Sequence, residues 1–511
     1  MAHKINRYLY LLISIICAFV LFRLYLRYAY KCGYNSDSSV FLIRARDILN
    51  GNIGLRNWYG CTTSMIASSN LSAVISVLLF GYHEYTLYIL SAILYLMLFI
   101  SAELFIGISS NFNIKNLIFG IILFMLPPSK DISSFFLTGG HTEIYIYILL
   151  AFSILFGYFK NKKNIFLYLF SLFVFLCTLS DNISILIFIF PVLICSFVSF
   201  KGIRNNKVFI ATFLSAFFGK LLCYIINKFG YFTWIGLSTI TIKYGDIPNS
   251  IGRAFLYLLR QYDADVFGIN ILSLNGIQSV AGFVIFLLAI TNYIYLLWNY
   301  RTQSLINRAI IIGSSLQFLA YIFSSISIDG SERYLVPCTI YLNILLAENI
   351  QSIANFKGNN AFKRHEIFYL CIIALLVILS HVTQLPNKPG VLPQDRLAKV
   401  LEDHNLTQGY GGYWQSHSVT IAGAEHGIKV NPVTMYQTGK LRQFEWLSDG
   451  KEYNKTSNFI IIPSTGEINY GITEESVLNN IGKPDEKIVS DDFKIFVYYN
   501  RNLSAGLEKI E

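Results

Sequence analysis

The chain has 511 residues, of which 54% are hydrophobic and only 14% are charged. In soluble proteins about a quarter of all residues are charged. This composition therefore excludes a chain of ordinary soluble domains and indicates an integral membrane protein. From Pro386 onward there are 13 Lys and Arg against 16 Asp and Glu, so the +10 net charge arises from +13 before that point and −3 after it. Basic residues in short loops orient membrane helices, and this role explains the positive charge of the membrane part. We therefore expect no nucleic-acid partner.

Long apolar segments recur up to residue 385, and each is close to the length that crosses a bilayer as a helix. They predict about eleven transmembrane helices. The predicted spans are residues 8–29, 85–107, 114–128, 142–159, 165–180, 182–200, 208–226, 277–299, 309–328, 334–350 and 366–385. The apolar segment 67–81 is shorter and is expected to lie at the interface or to re-enter the membrane. The basic "MAHKINR" precedes an apolar run without a small-residue cleavage site, which predicts a retained first span.

The charges of the loops predict the orientation of the chain. With a cytoplasmic N-terminus, "KNKKN" at 160–164, "KGIRNNK" at 201–207 and "KGNNAFKRH" at 357–365 all lie in the cytoplasm. The first outer loop, residues 30–84, and the C-terminal tail then lie on the opposite side. Full crossing by 67–81 would reverse every later loop. The sequence thus predicts a multi-pass protein of the inner (plasma) membrane with a periplasmic or extracytoplasmic C-terminal domain.

The tail from residue 386 has the pattern of a small α+β domain. "FIIIPSTG" and "FKIFVYYN" are short β-branched and aromatic runs typical of strands. "DRLAKVLEDHN" and "EESVLNNIG" place apolar residues at helical spacing. The predicted fold is therefore an α-helical polytopic membrane domain, residues 1–385, followed by an extracytoplasmic α+β domain, residues 386–511. Residues 250–262 predict an amphipathic helix on the outer surface, with Arg253 and Arg260 on its polar face.

Ionisable residues near the predicted membrane concentrate on the outer side. Burying a charge in the membrane costs several kcal/mol, so each such residue is a candidate for function. The candidates are Asp37 and Arg44 in the first outer loop, Lys130, Asp131, His141 and Glu143 in or beside the second, Asp181 in the third, Asp263 and Asp265 in the fourth, and Glu332, Arg333 and the adjoining Tyr334 before a late span. Their collection on one side predicts a cavity that opens outward.

Each candidate also has a purely structural alternative. Asp37 could cap the helix predicted for "SDSSVFLIRARDIL", because Ser, Asp and Asn favour such positions. Arg44 could contact lipid headgroups, and His141 could cap a span. Asp181 could serve only as a turn residue. Arg333 could act only as an interfacial anchor, although its guanidinium is the basic group best suited to hold a phosphate in bidentate fashion.

Several signatures of soluble enzymes and metal sites are absent from the sequence. It contains no glycine-rich phosphate loop, no nucleophile elbow and no His/Cys set with zinc spacing. "NSDSS" around Asp37 is not a paired D-x-D motif, so no cofactor is indicated, and a divalent metal there is compatible with the sequence but unsupported by it. Cys32 and Cys61 share the first outer loop, and a disulfide between them is left open.

The first span, the following aspartate and "FLIRARDILNGN" together resemble the membrane glycosyltransferases of the GT-C superfamily. That superfamily includes the protein O-mannosyltransferases and the aminoarabinose transferases of lipid A. Its first outer loop carries an acidic catalytic residue before a stretch that is matched here by Ala45, Ile48, Leu49 and Gly51. "LSAVISVLLFG", "TGGHTEIYIYILLAF", "SDNISILIFIFPVL" and "ERYLVP" resemble further segments of the family. The paired acidic motif of the family is not plain here, and "SMIASSNLS" stands where "PPL" often follows the first loop.

The resemblance implies an inverting transferase that takes a sugar from a polyprenyl-phosphate-linked donor in the membrane lipid. The acceptor would be a cell-envelope glycan such as a polysaccharide or lipopolysaccharide, another lipid or a protein at the outer face. Asp37 would be the general base, and Arg333 or Arg44 would neutralise the departing phosphate. Among the candidates that collect on the outer side, the expected substrate contacts are Arg44, Asp131, His141, Glu143, Asp181, Arg333 and Tyr334.

Other classes of protein are also considered. An outer-face glycan polymerase or ligase uses lipid-linked substrates too, but usually places its catalytic residues in a large central loop. A transporter or flippase tends to show repeated halves and broken helices, and the sequence shows no internal repeat. A non-catalytic membrane scaffold is the remaining alternative.

Overall fold

The computed structural model describes residues 18–136, 141–198, 203–229, 244–355, 385–435, 440–463, 470–490 and 493–508. A bundle of apolar helices comes first, and a small domain containing a sheet follows it. The helices of the first half are α1 (18–32), α2 (Ser36–Leu49), α3 (Leu71–Phe80), α4 (Glu84–Ser109), α5 (Ile114–Phe124), the short α6 (Ser133–Phe136), α7 (Thr142–Asn161) and α8 (Asn164–Ser180). Those of the second half are α9 (Phe190–Val198), α10 (Ile203–Lys228), α11 (Ile247–Gln261), α12 (Leu274–Trp298), α13 (Leu305–Ile322) and α14 (Val336–Asn355).

Within the described residues, five helices are long and apolar enough to cross a membrane by length and composition. They are α4, α7, α13, the Asn205–Lys228 part of α10 and the Asn275–Trp298 part of α12. Only 17% of the apolar window of Asn205–Lys228 is buried, so this helix presents apolar side chains outward, as a helix in lipid does. The chain therefore has the apolar helices of a multi-pass membrane protein.

The prediction of about eleven spans is not confirmed. The predicted span 366–385 and the first half of 8–29 lie almost wholly outside the described residues. Four further apolar helical segments have only 10–17 residues. One of them, α5, ends at Phe124 before Pro127 and Pro128, because proline lacks an amide hydrogen and biases the residue before it away from helical angles.

Segment 67–81, predicted to be interfacial or re-entrant, folds as the π-helical turn Ile66–Asn70 continuing into α3. The turn leaves helical geometry at Ser68, where φ is −113° and ψ is −107°. It is tied to the end of α8, since the Met65 amide donates to the Ser180 carbonyl oxygen over 3.0 Å. This hydrogen bond holds the loop after α2 against the end of α8, directly before Asp181.

The predicted C-terminal sheet is confirmed, and its described part has six strands in the order β3-β2-β1-β4-β6-β5. The strands are β1 (Gln408–Gly411), β2 (Lys429–Thr434), β3 (Arg442–Gln443), β4 (Phe459–Pro463), β5 (Glu486–Val489) and β6 (Phe493–Val497), and the helices are α15 (Pro393–Asp403), α16 (Tyr413–Ala422) and α17 (Glu474–Asn480). β1 is parallel to β2 and β4, and the other pairings are antiparallel. "FIIIPSTG" and "FKIFVYYN" contain β4 and β6, as predicted.

Both faces of the central strand β4 are buried. Along β4, Ile460 and Ile462 pack into one apolar cluster, and Phe459 and Ile461 pack into another. Successive side chains of a strand point to opposite faces. A strand covered on both sides therefore appears as a continuous apolar run, which is why β4 is recognisable in the sequence.

The C-terminal domain packs on α2 and on the loop that follows it. Helix α16 lies against α2, and the Ser36 hydroxyl donates to the Trp414 carbonyl oxygen over 2.9 Å. Further along, the Tyr59 amide donates to the Ser448 carbonyl oxygen over 2.8 Å. These contacts bring the first residue of α16 next to the first turn of α2, where Asp37 lies.

Candidate active site

Asp37 lies in the first turn of α2 and is not the residue that caps this helix. The cap is Asn35, whose side chain accepts from the Ser38 amide over 3.1 Å, while the Ser38 hydroxyl accepts from the Asn35 amide over 3.1 Å. This reciprocal pair satisfies the helix start. The Asp37 carboxylate is therefore left for contacts outside its own helix, at the end where the helix dipole favours negative charge.

Arg333 meets Asp37 from a distant part of the sequence. Its Nη1 lies 3.8 Å from Asp37 Oδ2, with 44% of the Arg333 side chain and 24% of the Asp37 side chain exposed. Helix α11 holds the backbone beside it, because Gln261 Nε2 donates to the Glu332 carbonyl oxygen over 2.9 Å. The Arg260 guanidinium pairs with the Glu332 carboxylate at 3.4 Å. A solute can thus reach a carboxylate and a guanidinium held close together.

Tyr413, which the sequence does not single out, contributes a third group from the C-terminal domain. Its hydroxyl donates to Asp37 Oδ1 over 2.5 Å, and the side chain is almost completely buried. Burial, and then the neighbouring Asp37 carboxylate, raise the pKa of Tyr413 well above its usual value. The phenol therefore keeps its proton and acts as a donor.

A histidine–carboxylate pair lies beside these groups. His141 Nδ1 is hydrogen-bonded to an Asp181 carboxylate oxygen, and both side chains are largely buried. The His141 ring centroid is 6.2 Å from that of Tyr334, and the Arg333 guanidinium carbon is 5.2 Å from the Tyr334 ring centroid. His141 also holds left-handed backbone angles, with φ of 69°, a conformation that costs energy in a residue other than glycine. The structure thus joins Asp37, Arg333, Tyr334, His141 and Asp181 in one cluster.

Arg44, a predicted substrate contact on the same helix as Asp37, is completely buried. Its Nη2 donates to the Tyr59 carbonyl oxygen over 2.8 Å, and its guanidinium carbon is 5.0 Å from the Trp58 ring centroid. Burial lowers its pKa to about 10. Arg44 is therefore buried under the loop that follows α2, whereas Arg333 is partly exposed beside Asp37.

Asp131 and Glu143 are buried in polar contacts of their own. Asp131 Oδ1 accepts from the Ser134 hydroxyl over 2.5 Å. Burial, with a smaller contribution from Glu332, raises the Asp131 pKa to about 6, although the bond from Ser134 opposes the shift. Glu143 accepts from the Ser72 hydroxyl over 2.8 Å, which ties α7 to α3. Asp131 therefore holds the start of α6, and Glu143 holds two helices of the bundle together.

Three further candidates form a separate lock between loops. Lys130 Nζ lies 3.2 Å from Asp265 Oδ2. The Asp263 carboxylate accepts from the Ser129 amide over 2.9 Å and from Gln278 Nε2 over 2.8 Å. Asp263 and Gln278 thus fix the loop before α6 against α12.

Cys32 and Cys61 are both free thiols in the structure. Among the described residues, no group of three or more His, Cys, Asp and Glu side chains is placed to hold a metal ion. No family model and no curated protein matches the chain. The geometry of the cluster is therefore the basis for any assignment of function.

Proposed function

We propose that this protein is a membrane glycosyltransferase of the GT-C type, which moves a sugar from a polyprenyl-phosphate-linked donor to an acceptor hydroxyl at the outer face of the membrane. The acceptor is a cell-envelope glycan, a lipid or a protein. The observation that carries the proposal is the solvent-accessible pair of Asp37 and Arg333 at 3.8 Å. Asp37 is the carboxylate that the family resemblance implies as the base, and Arg333 is one of the two arginines considered for the departing phosphate.

The proposed reaction is a single displacement at the anomeric carbon. Asp37 takes the proton of the acceptor hydroxyl as the acceptor oxygen bonds to that carbon. The bond from the anomeric carbon to the phosphate oxygen breaks, and its electron pair leaves with the polyprenyl phosphate. Arg333 holds the departing phosphate with its two-pronged guanidinium. One displacement at one carbon inverts its configuration.

Donor binding must separate the two residues before this reaction. A gap of 3.8 Å between Asp37 and Arg333 leaves no room for a sugar ring. A phosphate offers several charged oxygens to the guanidinium and replaces the single carboxylate contact. The donor phosphate then occupies Arg333, and the released Asp37 carboxylate faces the acceptor as a base.

The proposal includes about eleven spans, a cytoplasmic N-terminus and an extracytoplasmic C-terminal domain in the inner (plasma) membrane. The basic loops support this topology. We expect alkaline phosphatase fused after Glu511 to be active and green fluorescent protein fused at the same point to be dark. As a control, fusions within residues 201–207 should give the opposite result. A cytoplasmic readout after Glu511 would contradict the arrangement, because Asp37 and Arg333 would then face the wrong compartment.

The effect on envelope glycans tests the proposal as a whole. Cells that lack the protein are expected to lose one sugar from an envelope polysaccharide, lipid or protein fraction and to accumulate that sugar on polyprenyl phosphate. Mass spectrometry of the separated fractions measures both changes, and the wild-type gene should reverse them. Unchanged sugar composition in every fraction, together with an unchanged lipid-linked pool, would contradict a transferase function.

A further inference from the structure

Among the residues that the structure describes, the Asp37 carboxylate has two side-chain partners at very different distances. Its Oδ1 accepts from the Tyr413 hydroxyl over 2.5 Å, whereas its Oδ2 lies 3.8 Å from Arg333 Nη1. A closed hydrogen bond between a guanidinium and a carboxylate spans about 2.7–2.9 Å. The tyrosine contact is therefore fully formed, and the ion pair with Arg333 stays open by about 1 Å.

Of these two partners, Tyr413 is the one held firmly in place. Its ring packs against those of Phe444 and Tyr470, with centroids 5.6 and 6.4 Å away. The next residue, Trp414, accepts through its carbonyl oxygen from the hydroxyl of Ser36. Arg333, in contrast, has 44% of its side chain exposed. The position of the carboxylate is thus set from the C-terminal domain.

We propose that Tyr413 is a positioning residue that holds the Asp37 carboxylate back from Arg333. The guanidinium is then only loosely paired, so an incoming polyprenyl phosphate can displace the carboxylate from it, and the carboxylate becomes available to the acceptor. This inference rests on the function proposed above. It adds that the C-terminal domain completes the reaction centre and does not merely cover it.

The Tyr413→Phe variant removes the hydroxyl and keeps the ring. Without its hydrogen bond, Asp37 closes onto Arg333 and competes with the phosphate. We expect the affinity of the full-length protein in nanodiscs for undecaprenyl monophosphate to fall about tenfold, the size of one hydrogen bond to a charged group. Adding Asp37→Asn should restore the affinity to at least the wild-type value, because the competing charge is then absent.

The matched control is Tyr453→Phe, which removes a buried hydroxyl of the same domain that donates to the Pro432 carbonyl oxygen. Its affinity should stay within about twofold of wild type, as expected for a change outside the site. Unchanged affinity in Tyr413→Phe would overturn the inference. So would a loss that Asp37→Asn does not restore, because it would indicate a displaced domain. Absence of binding by the wild-type protein would instead contradict the proposed function, and the inference would fail with it.

Discussion

Replacing Asp37 with Asn is expected to lower the rate of sugar transfer by about 10²- to 10⁴-fold, the usual contribution of a general base. The amide has the shape of the carboxylate and still accepts a hydrogen bond from Tyr413, but it cannot take a proton from the acceptor. The measurement is the appearance of the sugar in the envelope fraction of cells complemented with the variant. Membrane abundance of the variant should match that of the wild-type protein.

Asp47→Asn is the matched control, since it makes the same chemical change further along α2. Asp47 Oδ2 accepts from Trp58 Nε1 over 2.8 Å, and an asparagine can still accept that bond. Transfer by this variant should remain close to the wild-type rate. Full activity in Asp37→Asn would remove Asp37 from the catalytic role.

The second large effect is expected at Arg333. Arg333→Gln should weaken binding of undecaprenyl monophosphate about 10- to 100-fold, because the phosphate loses its charged bidentate partner. The affinity of Arg333→Lys should lie between those of the wild-type protein and Arg333→Gln, because lysine keeps the charge and loses the planar guanidinium. Titration of the lipid phosphate into purified protein in nanodiscs measures each affinity.

Arg260→Gln provides the comparison for this change. Arg260 is a partly exposed arginine near the site, and it pairs with Glu332. Its variant should bind the lipid phosphate within about twofold of wild type. Equal losses in Arg260→Gln and Arg333→Gln would show that general positive charge, and not the contact at Arg333, governs binding.

The sequence predicts which residues share one side of the membrane, but it does not predict their contacts. Counting predicted spans places Asp37, His141, Asp181 and Arg333 together, and the structure brings these four into one cluster. Nothing in their local sequence states that Asp37 and Arg333 meet at 3.8 Å, because the helices between them determine that distance. The burial of Arg44 could not be predicted from the sequence either, because it depends on how the following loop folds over this residue.

The sequence does not predict the contact of Tyr413 with Asp37, because this contact depends on how the two domains dock. A local signal does exist in "GYGGYW", at the turn from β1 into α16. A Cβ on Gly409 would lie only 2.4 Å from ring atoms of Phe459, so the strand requires glycine there. Gly412 is the residue at which α16 begins to be capped. The motif thus predicts a tight strand-to-helix turn that delivers Tyr413, while its contact with Asp37 requires the packing of α16 on α2.

The hydropathy prediction of about eleven spans is not confirmed by the described residues, in which five helices are long and apolar enough to cross a membrane. An apolar run reports the surroundings of a segment, whereas the length of a helix also depends on local backbone chemistry. Predicted span 182–200 illustrates this, because the π-helical turn Ile185–Ile189 continues directly into α9 and gives one apolar helix, Ile185–Val198, that is shorter than the predicted span. Such π-helical turns interrupt the regular hydrogen-bond ladder and are not encoded by apolar content.

The roles assigned to Asp37 and Arg333 are tested most directly by the affinity of four proteins for undecaprenyl monophosphate: wild type, Asp37→Asn, Arg333→Gln and the double variant. If the carboxylate competes with the phosphate for one guanidinium, Asp37→Asn should raise affinity about fivefold when Arg333 is present and leave it unchanged in Arg333→Gln. The same effect in both backgrounds, or none in either, would contradict a shared reaction centre.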